Sequence, residues 1–293
     1  MKKGFVYLAG SGPGDPGLIT VKALNALREA DCVIYDFLAN PSLVENLSCE
    51  KIYVGKSGSD HTLPQEEITA LVVKKGLEGK TVVRLKGGDP FIFGRGGEEA
   101  EALVEAGVPF AIIPGVSSFY SAPAYAGIPI THRDFANAIE VITGHRRSDA
   151  DEGEDVNFPS YDADRTFAFL MGVKNLDHIA RSLIGKKNFP PETPVGIISR
   201  GTHPEQKVVT GTLADIAVKV KESGLKPPAI IVVGGVVTLR ERLRWFDNLP
   251  LFGKKIVVTR TRKQASRLSE KLAALGAKVI EFPTIDIVTE ADL

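Results

Sequence analysis

Lysine plus arginine and aspartate plus glutamate number 36 each in a chain of 293 residues, so no global field selects nucleic acid or a membrane surface. Hydrophobic residues make up 43% and charged residues 25%, the balance of a globular chain long enough for two domains. No apolar run is long enough to span a bilayer and no signal region follows Met1-Lys2-Lys3-Gly4, so the cytoplasm is the expected compartment. With 2 cysteines (Cys32 and Cys49) and 5 scattered histidines, neither a disulfide framework nor a metal centre is expected.

Residues 4–9 read as an apolar strand ending in Gly10-Ser11-Gly12-Pro13-Gly14-Asp15-Pro16-Gly17. Thr20 is placed to cap a helix running to residue 29, with Val21, Leu24 and Leu27 on one face. Strand, glycine loop and helix in this order invite a dinucleotide reading. The spacing is not Gly-x-Gly-x-x-Gly, however, and Pro13 and Pro16 stiffen a loop that should wrap a pyrophosphate. Strands at 32–35 and 51–54 end at Asp36 and at Gly55-Lys56, and a helix at 64–77 opens with Gln65, Glu66 and Glu67. Residues 82–85 form a short buried strand stopped by Lys86-Gly87-Gly88-Asp89-Pro90, because two glycines and a proline cannot continue a ladder. A helix at 98–107 follows, with Glu98 and Glu99 in its first turn and Gly107 at its C-cap. After a strand at 110–113, Ser117 or Ser118 caps a helix that ends near Gly127-Ile128-Pro129. Strand and helix alternate throughout, which predicts an α/β fold with a mainly parallel sheet.

Ile130-Thr131-His132-Arg133 reads as the hinge into a second domain. It holds strands at 138–143, 166–170, 195–199, 206–210 and 229–233, a helix at 176–184, and an exposed polar loop at 146–164. Residues 255–259, 262–275 and 278–282 then make one βαβ unit, too small to bury a core alone. The domain limits are therefore 1–133, 134–252 and 253–293, with the last piece expected to be loosely attached.

Ligands of open α/β sheets lie at the carboxyl ends of strands, where Asp36, Lys56 and Gly87-Gly88-Asp89 fall. Two adjacent glycines let the backbone approach a ligand, and Asp89 offers an acceptor. From the residues alone the alternatives stay open. The glycines also suit a tight strand-to-helix turn, Asp36 a turn cap, and Lys56 a solvated strand end.

The loops taken together resemble the tetrapyrrole methylase family over residues 3–246. The match is carried by Gly10-Ser11-Gly12-Pro13-Gly14-Asp15, Tyr35-Asp36, Val54-Gly55-Lys56, Lys86-Gly87-Gly88-Asp89-Pro90 and Pro114-Gly115-Val116-Ser117-Ser118. It continues through Gly127-Ile128-Pro129-Ile130-Thr131-His132-Arg133-Asp134, Thr143-Gly144-His145, Arg200-Gly201-Thr202 and Lys226-Pro227-Pro228-Ala229. The resemblance implies two α/β domains, the first sheet mainly parallel and the second mixed, with the active site in the trough between them, in a homodimer. It further implies S-adenosylmethionine-dependent methylation of two pyrrole carbons of uroporphyrinogen III, giving precorrin-2 for sirohaem or cobalamin, with S-adenosylhomocysteine as by-product and no metal. Alternatives are methylation of another precorrin, a non-catalytic tetrapyrrole- or nucleotide-binding module, and, from the first loop only, a nicotinamide-dependent oxidoreductase.

By position, Pro13, Gly87, Gly88, Asp89, Ile92, Ser117, Ser118, Met171, Gly201 and Ala229 match the family's cofactor residues. Asp36 matches its proposed proton acceptor and Lys56 its proposed proton donor. A polycarboxylate substrate needs geometrically fixed cations, for which Arg84, Lys86, Arg95, His132, Arg133, His145 and Arg146 are the candidates. Phe37, Leu170, Ser199 and Arg200 depart from commoner family residues at their positions. The tail, through Lys255-Ile256-Val257-Val258-Thr259-Arg260 and Gly276-Ala277-Lys278-Val279-Ile280, resembles the opening of the uroporphyrinogen-III synthase family over about forty residues, which implies a truncated fusion.

Overall fold

The structure, a computed structural model, describes residues 4–55, 63–144, 158–259 and 262–284, the side chains of 262–266 excepted. Two compact units divide at residues 121 and 122. The first contains strands β1 (Phe5–Gly10), β2 (Cys32–Tyr35), β3 (Glu50–Tyr53), β4 (Thr81–Lys86) and β5 (Phe110–Ile113). Its helices are α1 (Val21–Arg28), α2 (Gln65–Leu77) and α3 (Gly96–Glu105), and α4 (Ser118–Tyr125) carries the chain across the division.

All neighbouring strands in the order β3-β2-β4-β1-β5 are parallel. Such a sheet is covered on both faces, which is why its strands read as near-continuous apolar runs. Val6, Leu8, Cys32, Ile34 and Val82 pack with Ile68 and Val72 of α2 and Leu103 of α3. The alternate residues Ala9, Val33, Val83 and Leu85 pack with Ala23, Ala26 and Leu27 of α1. Cys32 is thus a core residue, and burial, then Glu50, pushes its thiol up to about 11. Thr20 caps α1 as expected, its Oγ1 accepting from Ala23 N at 3.2 Å. The buried face is not the expected one: Val21 is 76% exposed. At 3.6 residues per turn it lies about 120° round from Leu27, whereas positions 23, 26 and 27 share a stripe.

The second unit contains β6 (Ala138–Thr143), β7 (Arg165–Leu170), α5 (Leu176–Lys187), β8 (Pro194–Ser199), β9 (Lys207–Thr212), α6 (Ile216–Ser223), β10 (Ala229–Val233) and the short α7 (Arg240–Leu243). The sheet order is β6-β7-β10-β8-β9, with β6 and β7 parallel and the other pairs antiparallel, so the sheet is mixed. Phe167 and Phe169, Val195 and Ile197, and Ile231 and Val233 alternate onto the face covered by Ile179 and Leu183 of α5 and Ile216 and Val220 of α6. Each side chain of this size contributes roughly 1.5–3 kcal/mol on burial. Helix α6 is not among the elements expected above, although Ile216 and Val220 stand four apart and Gly224 at φ +63° ends it as a left-handed cap. The expected exposed loop does not extend to 164. Phe158 is 3% exposed and joins the core beside Phe169, while 146–157 lie outside the described residues.

The tail pairs β11 (Lys255–Val258) in parallel with β12 (Lys278–Glu281), joined by α8 (Arg262–Ala274). Its attachment is firmer than expected. Lys278 forms an ion pair with Glu205, Leu251 N donates to Leu275 O at 2.9 Å, and Phe246 stacks edge-on against Phe252 in the connection. Glycine and proline in that connection made it read as a free linker, but aromatic burial ties it down. One face of the pair stays open, with Val257 55% and Phe282 63% exposed.

Candidate active site

Because the first sheet is all-parallel, the loops after β1, β2, β4 and β5 leave from one edge, and glycines bring three of them into backbone contact. Gly12 N donates to Gly88 O at 3.2 Å and Gly88 N to Gly12 O at 2.7 Å. A Cβ at Gly115 would strike the Gly88 carbonyl and stand 2.8 Å from Gly10 Cα, and one at Gly87 would strike the Leu38 side chain. Asp89 closes the arrangement: Oδ1 accepts from Phe91 N at 2.8 Å and Oδ2 from Gly115 N at 2.9 Å. Its carboxylate therefore locks the loops after β4 and β5 together, so its demonstrated partners are backbone amides. Gly88 differs from its neighbours. It sits at φ +65°, and the nearest heavy atoms to a Cβ there would be Ser118 N at 3.8 Å and Ser117 Cα at 3.9 Å. That leaves a backbone floor edged by Ser117 and Ser118, where the left-handed φ rather than a lack of room reserves the position for glycine. Pro13, in the loop after β1, is half-buried beside the paired Gly12.

Asp36 follows β2 at the same edge. Its Oδ1 accepts from Leu38 N at 3.0 Å and its Oδ2 from the Arg84 guanidinium at 3.2 Å. Arg84 and Lys86 alternate along β4 with Val82 and point to the α2–α3 face, where they are 2% and 4% exposed. Both meet Glu99 Oε1, Arg84 at 3.2 Å and Lys86 at 2.9 Å, and Gln65 adds a third donor at 3.0 Å. Burial, then the Arg84 charge, holds the Lys86 ammonium below the ordinary lysine value. Tyr53 on β3 is pushed up by burial and then by the Asp36 carboxylate. Arg84 and Lys86 were expected at a loop gripping substrate. The structure instead buries both beneath the loops, paired to Glu99, which by sequence alone is a helix-start charge. The signal was present: Glu99 lies four residues before Leu103, on the buried face of α3.

Arg95 caps α3 from a left-handed conformation at φ +57° and is half-exposed. It chelates Glu98 at 2.5 and 2.9 Å, which raises its pKa. Phe91, Ile92 and Phe93 form an exposed apolar tip in the same loop, and Phe37 and Leu38 a second one after β2.

In the second unit, register rather than chain order assembles the candidate residues. Leu170 pairs with Ile230 and Ser199 with Ala229, so Met171, Ala229 and Gly201 meet at one end of the sheet. Met171, at φ +57°, is 51% exposed, and Arg200 and Thr202 flank Gly201 at φ +48° and +72°. Non-glycine residues in this region are strained and gather at functional sites. Gly201 has no room for a side chain, since a Cβ would collide with Ala122. His132 and Arg133 precede β6, whereas Met171 follows β7, which pairs with β6 in parallel. Lys56, His145 and Arg146 lie outside the described residues. Among the described residues there is no cluster of metal-ligating side chains, and no helix is long and apolar enough to cross a membrane.

Residues 6–217 match the Tetrapyrrole (Corrin/Porphyrin) Methylases. A porphyrin biosynthesis protein HemD of Ruminiclostridium josui is 44% identical over 293 residues, covering 98% of this chain and 57% of its own. A uroporphyrinogen-III C-methyltransferase of Bacillus subtilis (strain 168) is 46% identical over 293 residues, covering 97% and 59%. The chain thus spans somewhat over half the length of these curated relatives. The crystal structure of uroporphyrin-III C-methyl transferase from Thermus thermophilus complexed with S-adenyl homocysteine aligns with a TM-score of 0.68 at 36% identity, over 80% of this chain and 100% of that one.

Proposed function

Given that the chain belongs to the tetrapyrrole methylase family, we propose that it methylates two pyrrole carbons of uroporphyrinogen III with S-adenosylmethionine, giving precorrin-2. The observation that carries this reading is the backbone floor that Gly12, Gly88 and Gly115 build from three loops, one loop away from a carboxylate at Asp36 held by Leu38 N and Arg84. The floor suits a ligand approached by backbone, as the relative's complex with S-adenyl homocysteine leads one to expect. On this reading the candidates for holding it are Pro13, Gly87, Gly88, Asp89, Ile92, Ser117 and Ser118, with Met171, Gly201 and Ala229 carried over from the family match.

S-adenosylmethionine supplies an electrophilic sulfonium methyl, so the protein's contribution is orientation and proton transfer. Gly88 offers the ligand its backbone, Gly87 lets Leu38 pack against the same loop, and Asp89 keeps the loops after β4 and β5 at that spacing. Asp36 accepts the proton lost from the methylated carbon, with Lys56 as donor elsewhere on the macrocycle. Apolar Phe91, Ile92 and Phe93 offer a surface to the flat macrocycle, and exposed Arg95 and Arg133 a charge to its carboxylates. His132, His145 and Arg146 are further candidates for that contact. On this reading residues 1–133 and 134–252 are the methylase domains of a cytoplasmic homodimer. Residues 253–293 are then the opening of a uroporphyrinogen-III synthase-like domain.

The test is methyl transfer from labelled S-adenosylmethionine to uroporphyrinogen III by the purified chain, two labels per product being expected. Gly88→Val should abolish calorimetric binding of S-adenosylhomocysteine while circular dichroism stays native. Unchanged affinity in the folded variant, or binding of NAD in place of S-adenosylhomocysteine, would overturn the assignment.

A further inference from the structure

We propose that Arg84 is the positioning residue for Asp36, and that Glu99 holds Arg84 in place to do it. The inference rests on the reading of Asp36 as the proton acceptor and extends it to a buried set of residues behind that carboxylate.

All three guanidinium nitrogens of Arg84 are engaged. Nε donates to Glu99 Oε1 at 3.2 Å, one terminal nitrogen to Leu85 O at 3.1 Å and Ile34 O at 3.4 Å, and the other to Asp36 Oδ2 at 3.2 Å. A planar group held at three points has no freedom left, so the direction of its bond to Asp36 is set by β2, β4 and α3 together. Asp36 is held from the other side by Leu38 N on Oδ1, with its side chain still 25% exposed at the loop edge. The carboxylate is therefore clamped at both oxygens while one edge faces outward.

Charge makes the same point. Glu99 is fully buried, and Arg84 and Lys86 both lean on its Oε1, while Oε2 has no hydrogen-bond partner among the described residues. Two cations on one buried carboxylate leave a surplus positive charge, and Arg84 spends it on Asp36. If Arg84 served only to tie β2 to β4, its bond to Ile34 O would suffice. The fork spanning Glu99 and Asp36 is what an orienting role requires.

A double-mutant cycle decides the matter, with kcat and KM for methyl transfer to uroporphyrinogen III and calorimetric Kd for S-adenosylhomocysteine measured in each variant. Arg84→Met should lower kcat about a hundredfold, the scale of one general base, with KM and Kd within about twofold. In an Asp36→Asn background the same substitution should change kcat less than about threefold, because its effect passes through Asp36. If Arg84→Met does not fold, Arg84→Lys keeps the charge but not the fork, and should show the same dependence on the Asp36 background. Equal losses of kcat in both backgrounds would make Arg84 merely structural and overturn the proposal. An inactive wild type with folded protein would overturn the methyltransferase reading itself, and this inference with it.

Discussion

The first sheet carries, at each end, one carboxylate held by two cations. At the amino end Glu50 of β3 receives Lys75 from the last turn of α2 and Lys80 from the loop before β4, both at 2.7 Å. At the carboxyl end Glu99 receives Arg84 at 3.2 Å and Lys86 at 2.9 Å. The shorter contacts belong to the weaker cluster. Glu50 keeps 40% of its side chain in water, whereas Glu99, Arg84 and Lys86 keep 0%, 3% and 5%. Burial, not distance, decides what such a triad does. In water the charges are screened and the geometry is replaceable. In the interior each partner is obligatory, because removing one strands the others away from solvent. The same composition thus trims a surface at one end and fixes the direction of Asp36 at the other.

The strongest way to break the comparison is Glu99→Gln. It keeps the volume but leaves Arg84 and Lys86 buried without their carboxylate, and the Lys86 ammonium, already disfavoured by burial, loses the charge that opposes that. Removing one partner of a buried set typically costs about 3–5 kcal/mol. Urea unfolding should show a loss of that order. A loss below about 1 kcal/mol would mean that the cluster is not the dry unit its burial describes.

Less of this end than of the fold was legible in the sequence. Strand and helix periodicity placed β4 and α3 within two residues, and Lys86-Gly87-Gly88-Asp89-Pro90 marked the end of β4. What periodicity does not carry is the destination of a charged side chain on a buried strand. Val82, Arg84 and Lys86 share a face by alternation, but a sheet covered on both sides gives no apolar–polar contrast to say so. Cations on a strand next to a loop therefore read as loop cations. His132 and Arg133 precede β6, and the parallel pairing that sets the start of β6 beside the start of β7 is not legible in local sequence either. Pairing of distant strands, here β10 with β7 and β8, brings Ala229 beside Met171 and Gly201 and cannot be read from local sequence at all.

A smaller effect comes from the glycine contacts above the buried triad. Gly115→Ala adds one methyl against the Gly88 carbonyl and Gly10, both backbone and unable to swing aside. Overpacking of this kind costs about 1–3 kcal/mol. The distinguishing expectation is that S-adenosylhomocysteine binding weakens with stability, since the strain falls on the floor itself. Gly97→Ala, with no heavy atom within 4 Å of the added Cβ, is the control and should leave both unchanged. Equal behaviour of the two variants would remove the special status of the Gly10–Gly88–Gly115 contact.

The smallest effect sharpens the comparison from the solvent side. Hydrogen bonds from Lys75 and Lys80 pull the Glu50 carboxyl down to about 2 from its ordinary 4.5. A carboxylate whose folded pKa is depressed adds stability that is fully present above its unfolded value and is lost as pH falls through the folded one. The window for Glu50 therefore runs from 4.5 down to about 2. Lys80, raised by its bond to Glu50, acts in the opposite sense: its share persists below the unfolded lysine value and is lost only at strongly alkaline pH. With two-fifths of the Glu50 side chain in water, solvent screening leaves the cluster worth less than about 1 kcal/mol. The stability gap between wild type and Glu50→Gln should accordingly be small at neutral pH, narrow as pH falls through that window, and close in about 1 M salt, where the Debye length shrinks to roughly 3 Å. The Glu99→Gln gap should survive the same salt, because no counterion reaches a fully buried carboxylate. If salt erased both gaps alike, the two ends of the sheet would be electrostatically equivalent, and Arg84 would lose its claim to direct Asp36.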